Sequence, residues 1–456
     1  MRACIYGIFF IILPPKLCIM ANKRKIINDP VFGFLSIPNE LIFDVLQHPY
    51  VQRLNRIRQL GLSYLVYPGA MHSRFGHSIG AMHLMHEAII SLRAKGVEIT
   101  EEEATSAMIA ILLHDIGHGP FSHVLEHTIV DGVTHEDISL LMMERINEDL
   151  YNVQRDKVQC TKPLDMAIAI FKNEYPKHFL HQLISSQLDV DRMDYLCRDS
   201  FFTGVQEGRV ASERLLKMLD VRDDKLVVQV KGIYSVEKFL VARRLMYWQV
   251  YLHKTSVAAE QHLIKILSRA KELARGEAKG ERLEAKGDIS HSSVSHSPLF
   301  CSPALKYFLY QPVTADMFDV HSEALDRYAL LDDNDVLSAI KVWIGGEDKV
   351  LSLLSESFIN RQLFRGELIE APLTDAQKAA LNKEYAQALG ISEQEAEYMW
   401  SEHVSTSNTY SEKADSIGIL YNDGKIRDIS EASEILDLAA LTRKPTKRYL
   451  FKYRIN

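Results

Sequence analysis

Residues 112–126 read LLHDIGHGPFSHVLE, a stretch in which three histidines and two acids follow a long apolar run. The pair His114 and Asp115 comes directly after AMIAILL, residues 107–113. Because an ionised carboxylate is very costly to bury without a partner, Asp115 needs a positive group beside it. A metal ion is the simplest partner, since imidazole and carboxylate together suit Mn²⁺, Fe²⁺, Zn²⁺ or Ni²⁺. The alternative is a buried His–Asp ion pair without a metal.

Two further segments offer side chains for the same site. Residues 69–80 read GAMHSRFGHSIG, and residues 187–200 read QLDVDRMDYLCRDS. His118 lies four residues after His114, so a continuing helix would place both rings on one face. In the second segment the polar groups have helical spacing and are interleaved with apolar residues, which predicts a helix that is buried on one side and lines a polar site on the other. Its polar stripe comprises Asp191, Tyr195, Arg198 and Asp199.

The rest of the chain indicates a mainly α fold. Apolar residues at helical spacing from Glu40 to about Ala270 predict an all-α core. The later segments predict a smaller α+β C-terminal lobe, with helical patterns in 304–343 and 375–398 and strand-like alternation in 417–421 and 449–455. We therefore predict four regions: 1–19, an extension of the N-terminus; 20–275, the helical core; 276–299, an exposed loop or linker; and 300–456, the C-terminal lobe.

Composition excludes several classes of protein. The 456 residues are 47% hydrophobic and 25% charged, which is typical of a globular protein and not of a disordered or collagen-like chain. The net charge of -7 gives no support to nucleic-acid binding, although a local site stays open. Five cysteines without metal or disulfide spacing suit a reducing cytoplasm. The sequence has no apolar stretch long enough for a membrane helix.

Both ends of the chain need separate interpretation. Residues 5–13 are apolar and follow Arg2, like the core of a signal peptide, but Pro14 and Pro15 interrupt the run and Met20 opens an ordinary polar start. We interpret residues 1–19 as a non-native extension and not as an export signal. Residues 443–456 carry six Lys or Arg and no acid. They predict either a solvated edge strand or an anion site for nucleotide or nucleic acid.

Together the motifs resemble the HD phosphohydrolase superfamily, whose metal pattern is a His, an adjacent His–Asp pair and a distant Asp. Five motifs in order narrow the resemblance to the deoxynucleoside triphosphate triphosphohydrolases, from about Lys25 to His262 and more loosely beyond. These motifs are QLGLSYLVYPGAMHSRFGHSIG, HDIGHGPFSHVLE, THED, DVDRMDYLCRD and RRLMYWQVYLHK. The resemblance implies one divalent transition metal ion, Mn, Fe, Zn or Ni, with Mg²⁺ on the nucleotide phosphates as a second ion. The matching metal ligands are His77, His114, Asp115 and Asp191.

The resemblance also implies a reaction. Water attacks the α-phosphorus of a deoxynucleoside triphosphate (dNTP), and deoxynucleoside and intact triphosphate are released. The departing 5′-alkoxide is a poor leaving group, so a general acid is needed. His123 would donate this proton, supported by His118 and Glu126, with His135 in the same catalytic cluster. Glu126 stands where vertebrate members have Asp, which keeps the carboxylate and lengthens its reach.

The same resemblance implies a substrate site. A triphosphate carries about four negative charges, which cationic side chains must meet. Arg74 would lie at the α-phosphate, and Arg192, Tyr195, Arg243 and Lys254 would hold the remaining phosphates. Vertebrate members have Lys at the position of Arg192. The implied sugar and base contacts are Gln59, Leu60, Asp199, Tyr251 and His253.

Regulation is expected to differ from that of vertebrate members. The resemblance implies a homo-oligomer, dimer or tetramer, and a nucleotide activator. Vertebrate members read guanine through an Asp and an Arg upstream of the Gln–Leu motif, where this chain has Gln47 and Asn55. We therefore expect that GTP is not an obligatory activator. Strict GTP dependence of dATP hydrolysis, measured with nucleotide-free protein, would contradict this expectation.

Two other functions stay open from the sequence. One is an HD phosphohydrolase that acts on another nucleotide or on a phosphomonoester. The other is a nucleotide-sensing or nucleic-acid-binding module with weak turnover. The predicted ligand set and histidine acid favour an enzyme, because a sensor has no need of a proton donor.

Overall fold

The computed structural model describes residues 25–121, 132–154, 162–285, 299–406, 416–433 and 445–455, together with Val124, Thr128, Val130 and Ile435. The predicted N-terminal extension, His123 and Glu126 lie outside the described residues.

The fold is mainly helical, as predicted. In chain order the helices are α1 Glu40–Gln47, α2 Pro49–Arg53, α3 Arg74–Arg93, α4 Glu101–Leu113, α5 His135–Gln154, α6 Asp165–Phe171, α7 His178–Gln182, α8 Val190–Thr203, α9 Ser212–Met218, α10 Ile233–Met246, α11 Lys254–Ala285, α12 Pro303–Tyr310, α13 Glu323–Leu330, α14 Asp333–Trp343, α15 Lys349–Ile359, α16 Asp375–Leu389 and α17 Ile429–Ala432. The strands are β1 Ile26–Asp29, β2 Gly33–Ser36, β3 Leu219–Arg222, β4 Lys225–Gln229, β5 Arg365–Leu368, β6 Trp400–Thr406, β7 Gly418–Leu420, β8 Ile426–Asp428 and β9 Thr446–Lys452.

Helix α3 lies at the centre of the core and packs against α4 and α8. Local capping fixes where these helices begin. The Ser73 hydroxyl accepts from the amide of Gly76 at the start of α3, and a capping box of Thr100 and Glu103 starts α4. Asp189 caps α8 by accepting from the amide of Arg192 at 2.8 Å. The starts of α3 and α8, which carry the predicted ligands His77 and Asp191, are therefore set by local sequence.

Helix α4 ends earlier than the spacing of His114 and His118 predicted. It stops at Leu113, and residues 114–118 form turns, with the amide of His118 donating to the Asp115 carbonyl at 3.2 Å. Gly117 lies against the start of α5, where a Cβ atom would come within 2.1 Å of the His135 carbonyl oxygen. The prediction of one continuous helix was wrong, because the chain has to turn to pass this contact. We call residues 114–121 the His–Asp loop.

Three small sheets accompany the helices. Strands β1 and β2 form an antiparallel pair, and β3, β4, β7 and β8 form a sheet in that order. Strand β7 pairs in parallel with β4, with Val228 opposite Ile419, and so joins the end of the chain to the core. Strand β9 lies between β5 and β6 and is antiparallel to both.

The C-terminal lobe is α+β, as predicted, but two details differ. The two predicted strands are present as β7 and β9. Since β9 is the middle strand of its sheet, the prediction that the basic tail forms an edge strand was wrong; its Lys452 pairs with Glu367 at 2.8 Å. The segment predicted as a linker is helical over residues 276–285, because α11 continues to Ala285. Residues 286–298 lie outside the described part of the chain, and the domain boundaries stay a prediction.

Among the described residues, no helix combines the length and the apolar character that a membrane span requires.

Candidate metal centre and substrate site

Four side chains from three parts of the core converge on one point. His77 comes from the first turn of α3, His114 and Asp115 follow α4, and Asp191 lies in the first turn of α8. One ligand atom each of His77, His114 and Asp115 lie within 4.8 Å of one another. Asp191 Oδ1 lies 3.1 Å from His77 Nε2 and 3.3 Å from His114 Nε2. The four predicted metal ligands are therefore neighbours in space.

The two imidazoles present their Nε2 atoms to this point. Both Nε2 atoms are buried and lie beside the Asp191 carboxylate without a hydrogen bond of good geometry. Their other nitrogens are engaged: Nδ1 of His77 donates to Asp194 at 2.7 Å, and Nδ1 of His114 donates to the Ile111 carbonyl at 2.6 Å. Such bonds leave the lone pair of Nε2 facing a metal. Two buried imidazole nitrogens beside two carboxylates fit a divalent transition metal ion.

The pKa shifts of the predicted ligands also favour a bound cation. Burial disfavours charge on His77, but the carboxylates of Asp191 and Asp194 outweigh burial and raise its pKa to about 10. Burial also opposes ionisation of Asp115, yet His114, His118 and Arg74 hold the pKa of this carboxyl well below its usual value. The carboxylates thus stay ionised and demand a positive charge. Without a metal that charge is a proton on His77, and a bound cation would displace it.

A buried series of charged side chains contacts Nδ1 of His77. Asp194 accepts from Arg198, with Oδ1 at 2.8 Å from Nη2 and Oδ2 at 3.0 Å from Nε. Arg198 also donates to Asp29 Oδ2 at 2.7 Å. These side chains are nearly or fully buried. Arg198 therefore faces the interior, so the prediction that it lies on the polar stripe beside Asp191 was wrong. Asp194 belongs to the segment that was predicted to offer ligands, but its contact with Nδ1 of His77 was not predicted.

Two of the four predicted catalytic residues, His118 and His135, lie in the described part of the structure. His118 is buried, its Nε2 lies 3.2 Å from Asp115 Oδ1, and its ring stacks on His135 with 4.0 Å between centroids. Arg74 donates to Asp115 Oδ2 at 2.5 Å. Burial and the charge of Arg74 lower the pKa of His118 to about 3, so His118 is neutral at pH 7. The other two members of the cluster, His123 and Glu126, lie outside the described residues.

Helix α8 also carries the first part of the predicted sugar site. Asp199 is almost fully buried; its Oδ2 accepts from the Tyr251 hydroxyl at 2.7 Å and its Oδ1 lies 2.8 Å from Nε2 of His72. Residues 247–251 form a π-helical turn, a rare geometry that often marks functional sites. This turn places the Tyr251 ring edge-on to Tyr195, with 6.0 Å between centroids. Burial raises the pKa of Tyr251, so its hydroxyl stays a donor.

The predicted phosphate-binding arginines have only part of their donors engaged. Arg192 pairs with Asp189, and Arg243 donates to Gln187 at 3.2 Å. The Nε atoms of both arginines are buried and have no partner in the described structure, and the same holds for the buried side-chain oxygen of Gln59. Buried polar atoms without hydrogen bonds cost free energy, so a ligand that forms hydrogen bonds to them would bind more tightly.

The other predicted substrate contacts are Leu60, His253 and Lys254. Leu60 is half-buried directly after Gln59, and the His253 ring meets Tyr67 edge-on at 5.9 Å. Lys254 is exposed at the first position of α11, where an amine can reach solvent anions.

Family models match two parts of the chain. Residues 74–199 match the HD domain, and residues 210–295 match the HD associated region. The first match begins at Arg74 and ends at Asp199, so it encloses all four predicted metal ligands.

Known proteins of similar sequence include bacterial HD proteins and nucleotide hydrolases. A phosphohydrolase from Bacteroides thetaiotaomicron is 51% identical, with a TM-score of 0.85 over 95% of this chain and 100% of that one. The uncharacterized protein YwfO of Bacillus subtilis is 35% identical over 344 residues, which cover 75% of this chain and 72% of YwfO. The deoxynucleoside triphosphate triphosphohydrolase SAMHD1 homolog of Dictyostelium discoideum is 34% identical over 253 residues, 52% of this chain and 48% of that protein.

Proposed function

Because this chain belongs to the HD-domain phosphohydrolase family, we propose that it hydrolyses dNTPs to deoxynucleoside and triphosphate. The observation that carries this proposal is the convergence of two buried imidazole nitrogens and two carboxylates beside partly unpaired buried arginines. Similarity to an enzyme named as a dNTP triphosphohydrolase supports the choice of substrate. The homo-oligomeric state, the activator and the cytoplasmic location stay predictions from the sequence.

The ligands would hold one divalent ion, which would supply Lewis-acid stabilisation to the α-phosphoryl group. Arg74 donates to Asp115 and is buried beside the ligands, so its guanidinium is placed to balance charge at the α-phosphate. Arg192, Tyr195, Arg243 and Lys254 would meet the outer phosphates. Water then displaces the sugar 5′-oxygen, which must take a proton as it leaves. The resemblance assigns this proton to His123, and His118, whose pKa burial and Arg74 lower to about 3, would support it as a neutral ring.

Product analysis tests the proposal directly. Purified protein is incubated with each dNTP and with Mn²⁺ or Mg²⁺, and the phosphate products are separated. We expect tripolyphosphate and deoxynucleoside in equal amounts. Orthophosphate or pyrophosphate as the first product would reject attack at the α-phosphorus and favour another phosphohydrolase reaction.

Selectivity for dNTP over NTP is expected to depend on the Tyr251 ring. Both substrates carry the same triphosphate, so discrimination has to come from the 2′ position. The Tyr251 hydroxyl is committed to Asp199, and an aromatic face under the sugar would offer a 2′-hydroxyl no partner. An unpaired buried hydroxyl costs about 1–3 kcal/mol, which corresponds to roughly 5–150 fold in relative kcat/KM.

Two variants separate the ring from its hydroxyl. Tyr251→Ala should lower the ratio of kcat/KM for dATP over ATP at least several-fold, about 5-fold or more. Tyr251→Phe keeps the ring and should keep most of the selectivity. An unchanged ratio in folded Tyr251→Ala protein would show that this ring is only a core aromatic.

A further inference from the structure

The C-terminal lobe contacts the His–Asp loop directly. The Tyr328 hydroxyl, at the end of α13, donates to the Gly117 carbonyl at 2.9 Å. Gly119 faces the same hydroxyl, and a Cβ atom there would lie 2.7 Å from it. Tyr328 itself is buried. The loop is therefore packed tightly against a residue that lies 211 positions further along the chain.

Arg53 joins the same contact. This arginine is completely buried at the end of α2. Its guanidinium donates to the carbonyls of Leu331 at 2.9 Å and His118 at 3.0 Å, and its carbon lies 5.1 Å from the Tyr328 ring centroid. One charged group thus bonds both to the lobe and to the loop. Burying a guanidinium is costly, so these bonds are needed to stabilise it.

Asp333 connects the His–Asp loop to the segment around Gln59, which carries predicted substrate contacts. Its Oδ1 accepts from the amide of Phe121 at 3.3 Å, at the end of the loop. Its Oδ2 accepts from the amide of Arg58 at 3.0 Å and from the Arg58 guanidinium at 3.2 Å. Arg58 immediately precedes Gln59, and it forms a β-bridge with Ser73, the residue before Arg74. One carboxylate therefore ties the loop to the segment that carries predicted substrate contacts.

The backbone at Phe121 shows why such a tie is needed. Phe121 has φ of 52°, in the left-handed region that residues with a side chain rarely adopt. A conformation of this kind persists only where the surroundings hold it. The bond from the Phe121 amide to Asp333 is one such restraint, and burial of the Phe121 ring is another.

We propose that Asp333 is a positioning residue, which fixes the distance between the metal ligands on the His–Asp loop and the substrate groups around Gln59 and Arg74. Tyr328 and Arg53 hold the middle of the same loop. The inference deepens the proposed function and rests on it for the identity of the substrate. A misplacement of about 1 Å between catalytic groups can cost roughly 100-fold in rate, so loss of this tie should appear in kcat.

Asp333→Asn tests the proposal, and Asp332→Asn is its matched control. Asp332 lies next to Asp333 and loses the same charge, but its side chain pairs with Arg56 and caps α14 and does not touch the loop. We expect Asp333→Asn to lower kcat about 10- to 100-fold at saturating Mn²⁺, with KM changed far less. Asp332→Asn should stay within about 2-fold of the wild type, because Asn can still cap α14 and the weakened ion pair involves Arg56, whose side chain is 47% exposed.

Amide hydrogen exchange gives a second measurement that needs no substrate. Peptides covering residues 112–121 should exchange faster in Asp333→Asn than in Asp332→Asn, because the loop loses one of its restraints. Tyr328→Phe removes a single hydroxyl and is the alternative variant if Asp333→Asn does not fold. It should also speed exchange in these peptides and lower kcat several-fold, by roughly the value of one buried hydrogen bond.

The outcomes separate the two proposals. If the wild type hydrolyses no dNTP, the proposed function fails, while faster exchange in the Asp333 variant still supports the positioning role. If the wild type is active and Asp333→Asn or Tyr328→Phe matches it in kcat and exchange, the positioning role is overturned. Equal losses in Asp333→Asn and Asp332→Asn would overturn it as well.

Discussion

His114→Ala and Asp115→Ala are each expected to abolish turnover and to remove the metal from the protein. The two predicted donors outside the loop, His77 and Asp191, come from α3 and α8, whose starts are capped, so they are not expected to move to rebuild the ligand set. Removing one ligand lowers both metal affinity and activity. We expect metal content to fall below a tenth of the wild-type value and kcat to fall by about 10⁴-fold or more, as the Lewis acid is lost.

Both variants should stay folded. In His114→Ala, Asp115 keeps Arg74 and His118 as partners. His181→Ala is a matched control, because Nδ1 of His181 contacts the Ile170 carbonyl at 3.0 Å much as Nδ1 of His114 contacts Ile111. The measurements are metal analysis by mass spectrometry, circular dichroism and steady-state rates. Full metal occupancy in the two site variants would show that these residues are not ligands.

His123→Ala is expected to lower the chemical step by roughly 10² to 10⁴ fold and to leave metal and substrate binding nearly intact. A general acid acts on the leaving oxygen as the bond breaks, so its loss affects kcat and not ground-state binding. His118, five residues earlier in the sequence, is not expected to take over, because burial and Arg74 lower its pKa to about 3 and leave its ring neutral at pH 7.

The leaving group supplies the control for this prediction. An aryl phosphodiester such as bis(4-nitrophenyl) phosphate releases a stable phenolate, which needs little help from an acid. Its hydrolysis should therefore fall much less in His123→Ala than dNTP hydrolysis does. If the variant instead binds dNTP poorly and turns over normally at saturation, His123 binds substrate and is not the acid.

The sequence predicted the ligands because their signal is local. His114 and Asp115 are adjacent, and the spacing of Asp191 within its segment already indicates a helix with one buried side. Arg74 and His77 lie in a segment whose functional roles were inferred from the family resemblance. Matching ordered motifs was therefore enough to bring together residues from α3, α8 and the His–Asp loop, and the helical class of the core followed from apolar periodicity.

What the sequence did not predict depends on distant packing. The early end of α4 is set by the contact of Gly117 with the start of α5, and no residue inside α4 signals it. Arg198 was placed on the polar stripe because helical spacing cannot distinguish a site-facing cation from one that pairs with Asp29, 169 positions away in sequence. The ties of Tyr328 and Asp333 to the loop are equally remote in sequence.

The contacts of Tyr328 and Asp333 with the His–Asp loop can form only late in synthesis, because the ribosome makes the chain from its N-terminus. All four metal ligands have left the ribosome once Asp191 has emerged, whereas Asp333 follows about 140 residues later. At about 5–20 residues per second this is a delay of roughly 7–28 s. During that interval a nascent chain carries every ligand but lacks the lobe that holds the loop, and β4 still lacks its parallel neighbour β7. The proposed function and positioning role together imply that catalytic competence is acquired only when the last third of the polypeptide has docked.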